Sequence, residues 1–250
     1  MDTKIIYICS MLMVLLLLIC IIENLKKNKI EIEVIDDTLI KYTKGKSYVK
    51  KEKHLNIVFI HIPKNAGSYI RTHIKGANNN YDHMSLSELK QNFPSVYKQN
   101  MFFCVVRNPY DRIVSNYEFA LQKSNTGITQ KLANKIFKNE KIQTFEAFVN
   151  YLHSDKKRLY QVIHWHPQYK FVELHGSIPT KGKLRILRKE NLTEDFSKFL
   201  ESQNINITLS SEKVNSTIHK QYTEYYKTKE IINKVYEIYK EDFQYFSYNF

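Results

Sequence analysis

Hydrophobic and polar positions follow three different patterns along this 250-residue chain. Ile5 to Ile22 (IIYICSMLMVLLLLICII) carries no charge. As a helix it would span roughly 27 Å, close to the ~30 Å hydrocarbon core of a bilayer. Two shorter runs, Ile57 to Ile62 and Met101 to Val106, are rich in β-branched and aromatic residues and end at turn residues. That is the pattern of parallel strands buried on both faces. Lys183 to Leu187 predicts another strand, and IEIEVI (Ile30 to Ile35) alternates as a short one would. Elsewhere the period is helical. Tyr110, Ile113, Val114, Tyr117 and Leu121 recur at i, i+3, i+4, i+7 and i+11, and Ile231, Val235 and Ile238 stripe Glu230 to Tyr239. Helices are also expected over Tyr69 to Lys75, after a cap near Ser85, and from Glu190 to Thr193 onward, with Phe196 and Leu200 facing inward. The mixture predicts an α/β fold, a P-loop-like parallel sheet flanked by helices, in a single domain over residues 54–250.

What precedes that domain divides into a short tail (1–4), a transmembrane signal anchor (5–22) and a charged stem (23–53). The apolar run is longer than a usual signal-peptide core. No small-x-small cleavage site follows it, only Glu23, Asn24, Leu25, Lys26 and Lys27. Its orientation is contested by its own flanks. Lys4 precedes the run, but Lys26, Lys27 and Lys29 follow it, and charge alone would hold the C-terminal part in the cytosol. Large C-terminal domains can translocate despite such flanks.

Composition adds a partner class. The formal net charge is +13 and the chain is 43% hydrophobic, so a domain of about 200 residues can build a core while its surface favours polyanions. Nucleic acid is not expected, because the charge is spread and no recognised module accompanies it. Cys9 and Cys20 lie in the apolar run and Cys104 in a strand, so no pair staples the domain and no Cys/His cluster has zinc spacing.

The chemistry concentrates in two loops. After the first strand comes Pro63-Lys64-Asn65-Ala66-Gly67-Ser68, then a helix. Loop N–H groups can surround an anion there, with Ser68 adding a hydroxyl and Lys64 a mobile charge. The loop is P-loop-like in geometry, but its lysine precedes the glycine. After the second strand comes Arg107-Asn-Pro-Tyr-Asp-Arg112, with Pro109 near the first helical position. Arg107 is placed to fork onto phosphate oxygens, and Ser115 to join it. Asp111 reads as a first-turn dipole partner, and Arg112 as either a salt bridge to a helix acid or a ligand contact. Two anion cups in one small domain suggest a ligand with phosphate at both ends.

Taken together these residues resemble the sulfotransferase superfamily, and within it the membrane-bound carbohydrate branch. HIPKNAGS resembles the family's 5′-phosphosulfate loop and VRNPYDRIVSNY its 3′-phosphate segment. HWHPQ (His164 to Gln168), LRKENL (Leu187 to Leu192) and YEIYKEDFQYFSY (Tyr236 to Tyr248) follow in the expected order. The resemblance covers roughly Leu55 to Phe250. It implies the donor PAPS (3′-phosphoadenosine 5′-phosphosulfate), no metal, and sulfuryl transfer to a hydroxyl of a glycan, in a single-pass type II protein of Golgi type with a luminal catalytic domain. The loop departs from the family pattern in one respect. Ala66 stands where a glycine is usual, so it must avoid positive φ or bear a cost.

The resemblance also implies roles. Lys64 would stabilise the leaving 5′-phosphate oxygen. Lys64, Asn65, Ala66, Gly67, Ser68 and Tyr69 would hold the 5′ end of the donor, and Arg107 and Ser115 its 3′-phosphate. Lys220, in a late loop resembling one that closes over the nucleotide, would add a contact. The acceptor hydroxyl needs a general base, for which histidine has a suitable pKa. His83 is the first choice, with His164 and His166 in reserve and His61 as a packed strand-end residue. The aromatic end (Phe243, Tyr245, Phe246, Tyr248) is expected to pack on the core, and Lys123 to Thr144 to form a specificity loop. Sequons at Asn191, Asn206 and Asn215 add little in so asparagine-rich a chain. Three rivals remain open: a protein-tyrosine sulfotransferase, a silent membrane-tethered glycan-binding protein, and a nucleotide kinase. The last would want the lysine after the glycine and a carboxylate for Mg²⁺.

Overall fold

A computed structural model describes residues 55–74, 81, 83–122, 127–179, 182–209 and 220–250. The anchor, the stem, the IEIEVI strand and the Asn215 sequon lie outside them. The described residues belong to one compact unit, Lys53–Phe250. Among them no helix is long and apolar enough to cross a membrane.

The centre is a three-stranded parallel sheet in the order β1 (Ile57–Ile60), β2 (Met101–Val106), β3 (Leu184–Arg188). Ile57 pairs with Met101 and Ile60 with Cys104, while Phe102 pairs with Leu184 and Val106 with Arg188. The period-2 alternation of a strand sends its side chains to two separate cores. Val58, Ile60, Phe102, Cys104 and Val106 pack with Leu86, Leu89, Phe171 and Phe246 on one side. Ile57, Phe59, Phe103, Val105 and Leu187 pack with Tyr69, Ile70, Phe196 and Phe199 on the other. The continuous apolar runs of β1 and β2 follow from this burial on both faces.

Helices cover the sheet. They are α1 (Gly67–His73), α2 (Leu86–Asn92), α3 (Pro94–Gln99), α4 (Pro109–Leu121), α5 (Ile128–Asn139), α6 (Phe145–Ser154), α7 (Leu192–Ser202), α8 (Lys229–Ile238) and α9 (Lys240–Phe246). The Ser85 cap is a full capping box. Its hydroxyl accepts from the Glu88 N–H, and the Glu88 carboxylate accepts from the Ser85 N–H. A third core joins α4, α5, α6, α8 and α9 around Trp165, Phe148 and Val235.

Several sequence expectations shift. The first strand ends at Ile60 and α1 begins at Gly67 rather than Tyr69, so the first loop lies two residues earlier than the pattern suggests. The third strand is displaced by one residue. A 3₁₀ turn, Lys189–Asn191, precedes α7. Tyr110, Ile113, Val114 and Tyr117 are buried as expected, but Leu121 is 46% exposed because the last turn of α4 runs past the core. Lys123 to Thr144, expected as a loop, contains α5, whose Ala133 and Phe137 are buried. Of the C-terminal aromatics, Phe243 and Phe246 are buried while Tyr245 is exposed, its ring stacked on Tyr169.

Candidate active site

Parallel pairing decides where the site lies. β1 and β2 are neighbours running the same way, so the loops that leave their carboxyl ends stand side by side, the usual ligand edge of an open α/β sheet.

The first loop turns through two left-handed residues, Lys64 (φ 68°) and Ala66 (φ 61°). Ala66 therefore does occupy the region that favours glycine and carries its cost. Gly67 is required for a different reason. Its φ is ordinary, but a Cβ built there would stand 2.0 Å from His61 Nε2. Asn65 between them is fully buried, and its carboxamide donates to the Val105 carbonyl (2.8 Å) and to Gln168 Oε1 (2.6 Å). Ser68 is exposed in the first turn of α1. The Tyr69 side chain is buried in the core.

Lys64 reaches toward α4. Its ammonium lies 4.2 Å from the centre of the Phe119 ring. Burial, with Arg107 and Arg112 adding repulsion, brings its pKa down to about 8. Phe119 belongs to a polar, inward face of α4 formed by Arg112, Ser115, Asn116 and Phe119 at i, i+3, i+4 and i+7. Ser115 and Asn116 are 2% and 1% exposed.

The arginines differ from their expected roles. Arg107 does not present an empty fork. Its Nε and Nη2 donate to the Asp111 carboxylate (2.5 and 2.6 Å), and Nη1 donates to the Lys64 carbonyl (3.1 Å). Asp111 also takes Lys189 (3.3 Å), and these cations hold its carboxyl below the usual range although burial opposes them. Asp111 is thus an ion-pair partner as well as a first-turn acid. Among the described residues no helix acid forms an ion pair with Arg112, which is 1% exposed. It donates to the carbonyls of Pro63 (3.1 Å), His166 (2.9 Å) and His164 (3.0 Å), bolting the first loop to the HWHPQ segment.

Three histidine rings, His61, His83 and His164, stand next to one another. His61 follows β1, sandwiched by Phe59 (5.5 Å) and His83 (4.4 Å) and bonded to Arg71 through Nδ1 (2.7 Å). His83, also left-handed (φ 61°), donates from Nδ1 to the His61 carbonyl at 3.1 Å. A carbonyl can only accept, so the proton of the neutral ring is on Nδ1 and the lone pair on Nε2, the tautomer a general base needs. His164 lies edge-on to His83 (5.6 Å) and against Phe119 (4.9 Å). Burial first, then Lys64 and the other neighbouring cations, drive its pKa to about 2, so it is neutral and a poor proton acceptor. His166 is turned away toward Tyr160 and Phe171. Lys220 is exposed at the start of the last described segment.

Two residues that sequence reasoning left without a role bind this site together. Gln168, fully buried, accepts on Oε1 from Asn65 and from the Arg107 N–H (3.0 Å), and donates from Nε2 to the Arg107 carbonyl (2.9 Å). Asp242 of α9 accepts the Gln168 and Tyr169 N–H groups at 2.8 and 2.9 Å. Burial raises its pKa to about 6 against the pull of Arg112 and these N–H bonds. Both residues fall inside quoted motifs, but nothing local marks a glutamine or an aspartate as a buried connector. Asn65 Oδ1, both amide atoms of Asn116 and His164 Nδ1 are buried with no hydrogen-bond partner among the described residues. Such atoms cost ~1–3 kcal/mol each unless water or ligand meets them. Among the described residues no group of three or more His, Cys, Asp or Glu is placed to hold a metal ion.

The Lys64 loop and the Arg107 segment meet at the carboxyl edge of the sheet, with the His83 ring bonded to the His61 carbonyl. The model of the sulfotransferase family matches residues 46–249, and the chain belongs to that family. It is a transferase that moves sulfuryl groups. Searches for similar curated proteins and similar solved structures returned no match.

Proposed function

We propose that this sulfotransferase takes PAPS as donor and a carbohydrate hydroxyl as acceptor. The observation that carries the reading is the pairing of the Lys64 loop with the Arg107 segment across Gln168, with the His83 ring beside them. A donor with anions at both ends suits two neighbouring basic loops. The backbone of Asn65, Ala66, Gly67, Ser68 and Tyr69 and the Ser68 hydroxyl receive the 5′-phosphosulfate. Arg107, oriented by Asp111, and Ser115 receive the 3′-phosphate, and Lys220 adds charge from the exposed edge.

Transfer is an in-line displacement helped mainly by positioning and electrostatics. His83 Nε2 takes the proton of the acceptor hydroxyl. That oxygen forms the new bond to sulfur, the bond from sulfur to the 5′-phosphate oxygen breaks, and Lys64 stabilises the charge left there. With a pKa near 8, Lys64 is mostly charged at neutral pH. The length and composition of Ile5 to Ile22 support a membrane anchor with 23–53 as stem; the type II, Golgi-type luminal placement of the catalytic domain follows from the donor and acceptor proposed, against the flanking charge.

The test is transfer of radiolabelled sulfate from PAPS to a panel of glycans and tyrosine peptides by the full chain. Label on a glycan, lost in Lys64→Met, supports the reading. Label on tyrosine peptides alone overturns the acceptor, and donor binding without transfer to any acceptor favours a binding protein. Glycosidase-sensitive sugar on Asn191 or Asn206, both exposed, would support the luminal placement.

A further inference from the structure

We propose that Gln168 is a positioning residue that sets the separation of the two anion loops, so that a donor anionic at both ends is bound as one unit. This rests on the reading above that the loops hold the two ends of one donor.

Gln168 has no exposed surface, and its carboxamide is spent entirely on the loops. On one side it takes the Asn65 amide at 2.6 Å. On the other it grips the Arg107 backbone twice, accepting from its N–H at 3.0 Å and donating to its carbonyl at 2.9 Å. The loops also touch directly, through Asn65 Nδ2 to the Val105 carbonyl and Arg107 Nη1 to the Lys64 carbonyl. Those bonds use side chains of the loops themselves, and a ligand meeting Lys64 or Arg107 acts on them. Gln168 comes from a third segment, and holds the Arg107 backbone on one side and the Asn65 carboxamide on the other. Its own N–H is fixed by Asp242, so the clamp is anchored in α9 and does not drift with either loop. Arg112 ties the same segment to Pro63 through the His164 and His166 carbonyls.

Spacing matters only to a ligand that engages both loops. Two linked anions gain from one another only if geometry allows both to be seated at once. A ligand with a single phosphate settles into one loop whatever the distance to the other.

The experiment compares adenosine 3′,5′-bisphosphate, 5′-AMP and 3′-AMP as ligands of the full chain by titration calorimetry, with a melting curve for each variant. In Gln168→Met, which keeps volume and removes the hydrogen bonds, the bisphosphate should weaken about tenfold while each monophosphate changes less than about twofold. Should Gln168→Met not fold, Gln168→Asn stays uncharged and keeps the carboxamide but draws it back by one methylene, so it cannot hold both loops at their present spacing, and the same preferential loss is expected. Equal weakening of all three ligands, or none, overturns the inference and leaves the donor assignment standing. A wild-type chain that binds none of the three overturns the donor assignment, and the inference with it.

Discussion

Gly67→Ala is the smallest change that should disable the site, and its effect can be worked from the geometry. The new methyl carbon would stand 2.0 Å from His61 Nε2, 2.4 Å from Cδ2 and 2.8 Å from Cε1. Ordinary contacts between such atoms are about 3.5–4.0 Å, so ring or helix must move by about 1.5 Å. The far end of a side chain can often swing aside, but this ring is held on both faces, by Phe59 at 5.5 Å and His83 at 4.4 Å, and at its edge by Arg71 at 2.7 Å. Overpacking of this kind costs about 1–3 kcal/mol, or a fall of about 3–10 °C in Tm for a domain of this size. The displaced groups matter more. The His61 carbonyl fixes the tautomer of His83, and a shift of about 1 Å in positioning groups can cost about 100-fold in rate. Melting curves and sulfate-transfer rates of Gly67→Ala, His61→Ala and the double variant form a cycle. The double variant should melt higher than the sum of the single losses predicts, because the clash is gone. A Gly67→Ala chain with wild-type Tm and rate, or a strictly additive cycle, would refute the packing argument.

Four further outcomes are expected. Because the neutral form of Lys64 is favoured above about pH 8, kcat/KM should fall as pH rises through that value; Lys64→Arg, charged throughout, should lose this limb, and a limb that persists refutes the assignment. The same depressed pKa means the unfolded chain binds the extra proton between about pH 8 and 10.5, so Lys64 itself makes folding more favourable as pH rises across that window. His83→Ala should lower kcat by about 10²–10⁴ while stabilisation by adenosine 3′,5′-bisphosphate is unchanged, and equal activity would move the base to another group. Ala66→Gly should stabilise the chain by about 1 kcal/mol, since Ala66 sits at φ 61°, and raise Tm by about 2–4 °C; a lowered Tm would show the loop is not strained there.

The local pattern of the chain determined a good deal. Buried parallel strands announce themselves as continuous β-branched and aromatic runs, so β2 was legible to the residue and β1 nearly so. The helical stripe of α8 and the cap at Ser85 were equally plain, because period and capping are properties of a few neighbouring residues. The two loops with their lysine and arginine were visible in the same way, whereas the choice of His83 came from the family resemblance and not from any local pattern. What only the tertiary structure decided is which polar groups meet. Arg107 and Asp111 lie one helical turn apart, but only the fold brings the Lys64 carbonyl to Arg107 and Lys189 to Asp111. Arg112 finds three carbonyls rather than an acid, Gln168 joins Asn65 to Arg107 across the sheet edge, and Asp242 holds Gln168 from the last helix. Such bonds form between residues far apart in the chain. Burial makes every polar group there seek a partner, and only the packed fold specifies which partner is within reach.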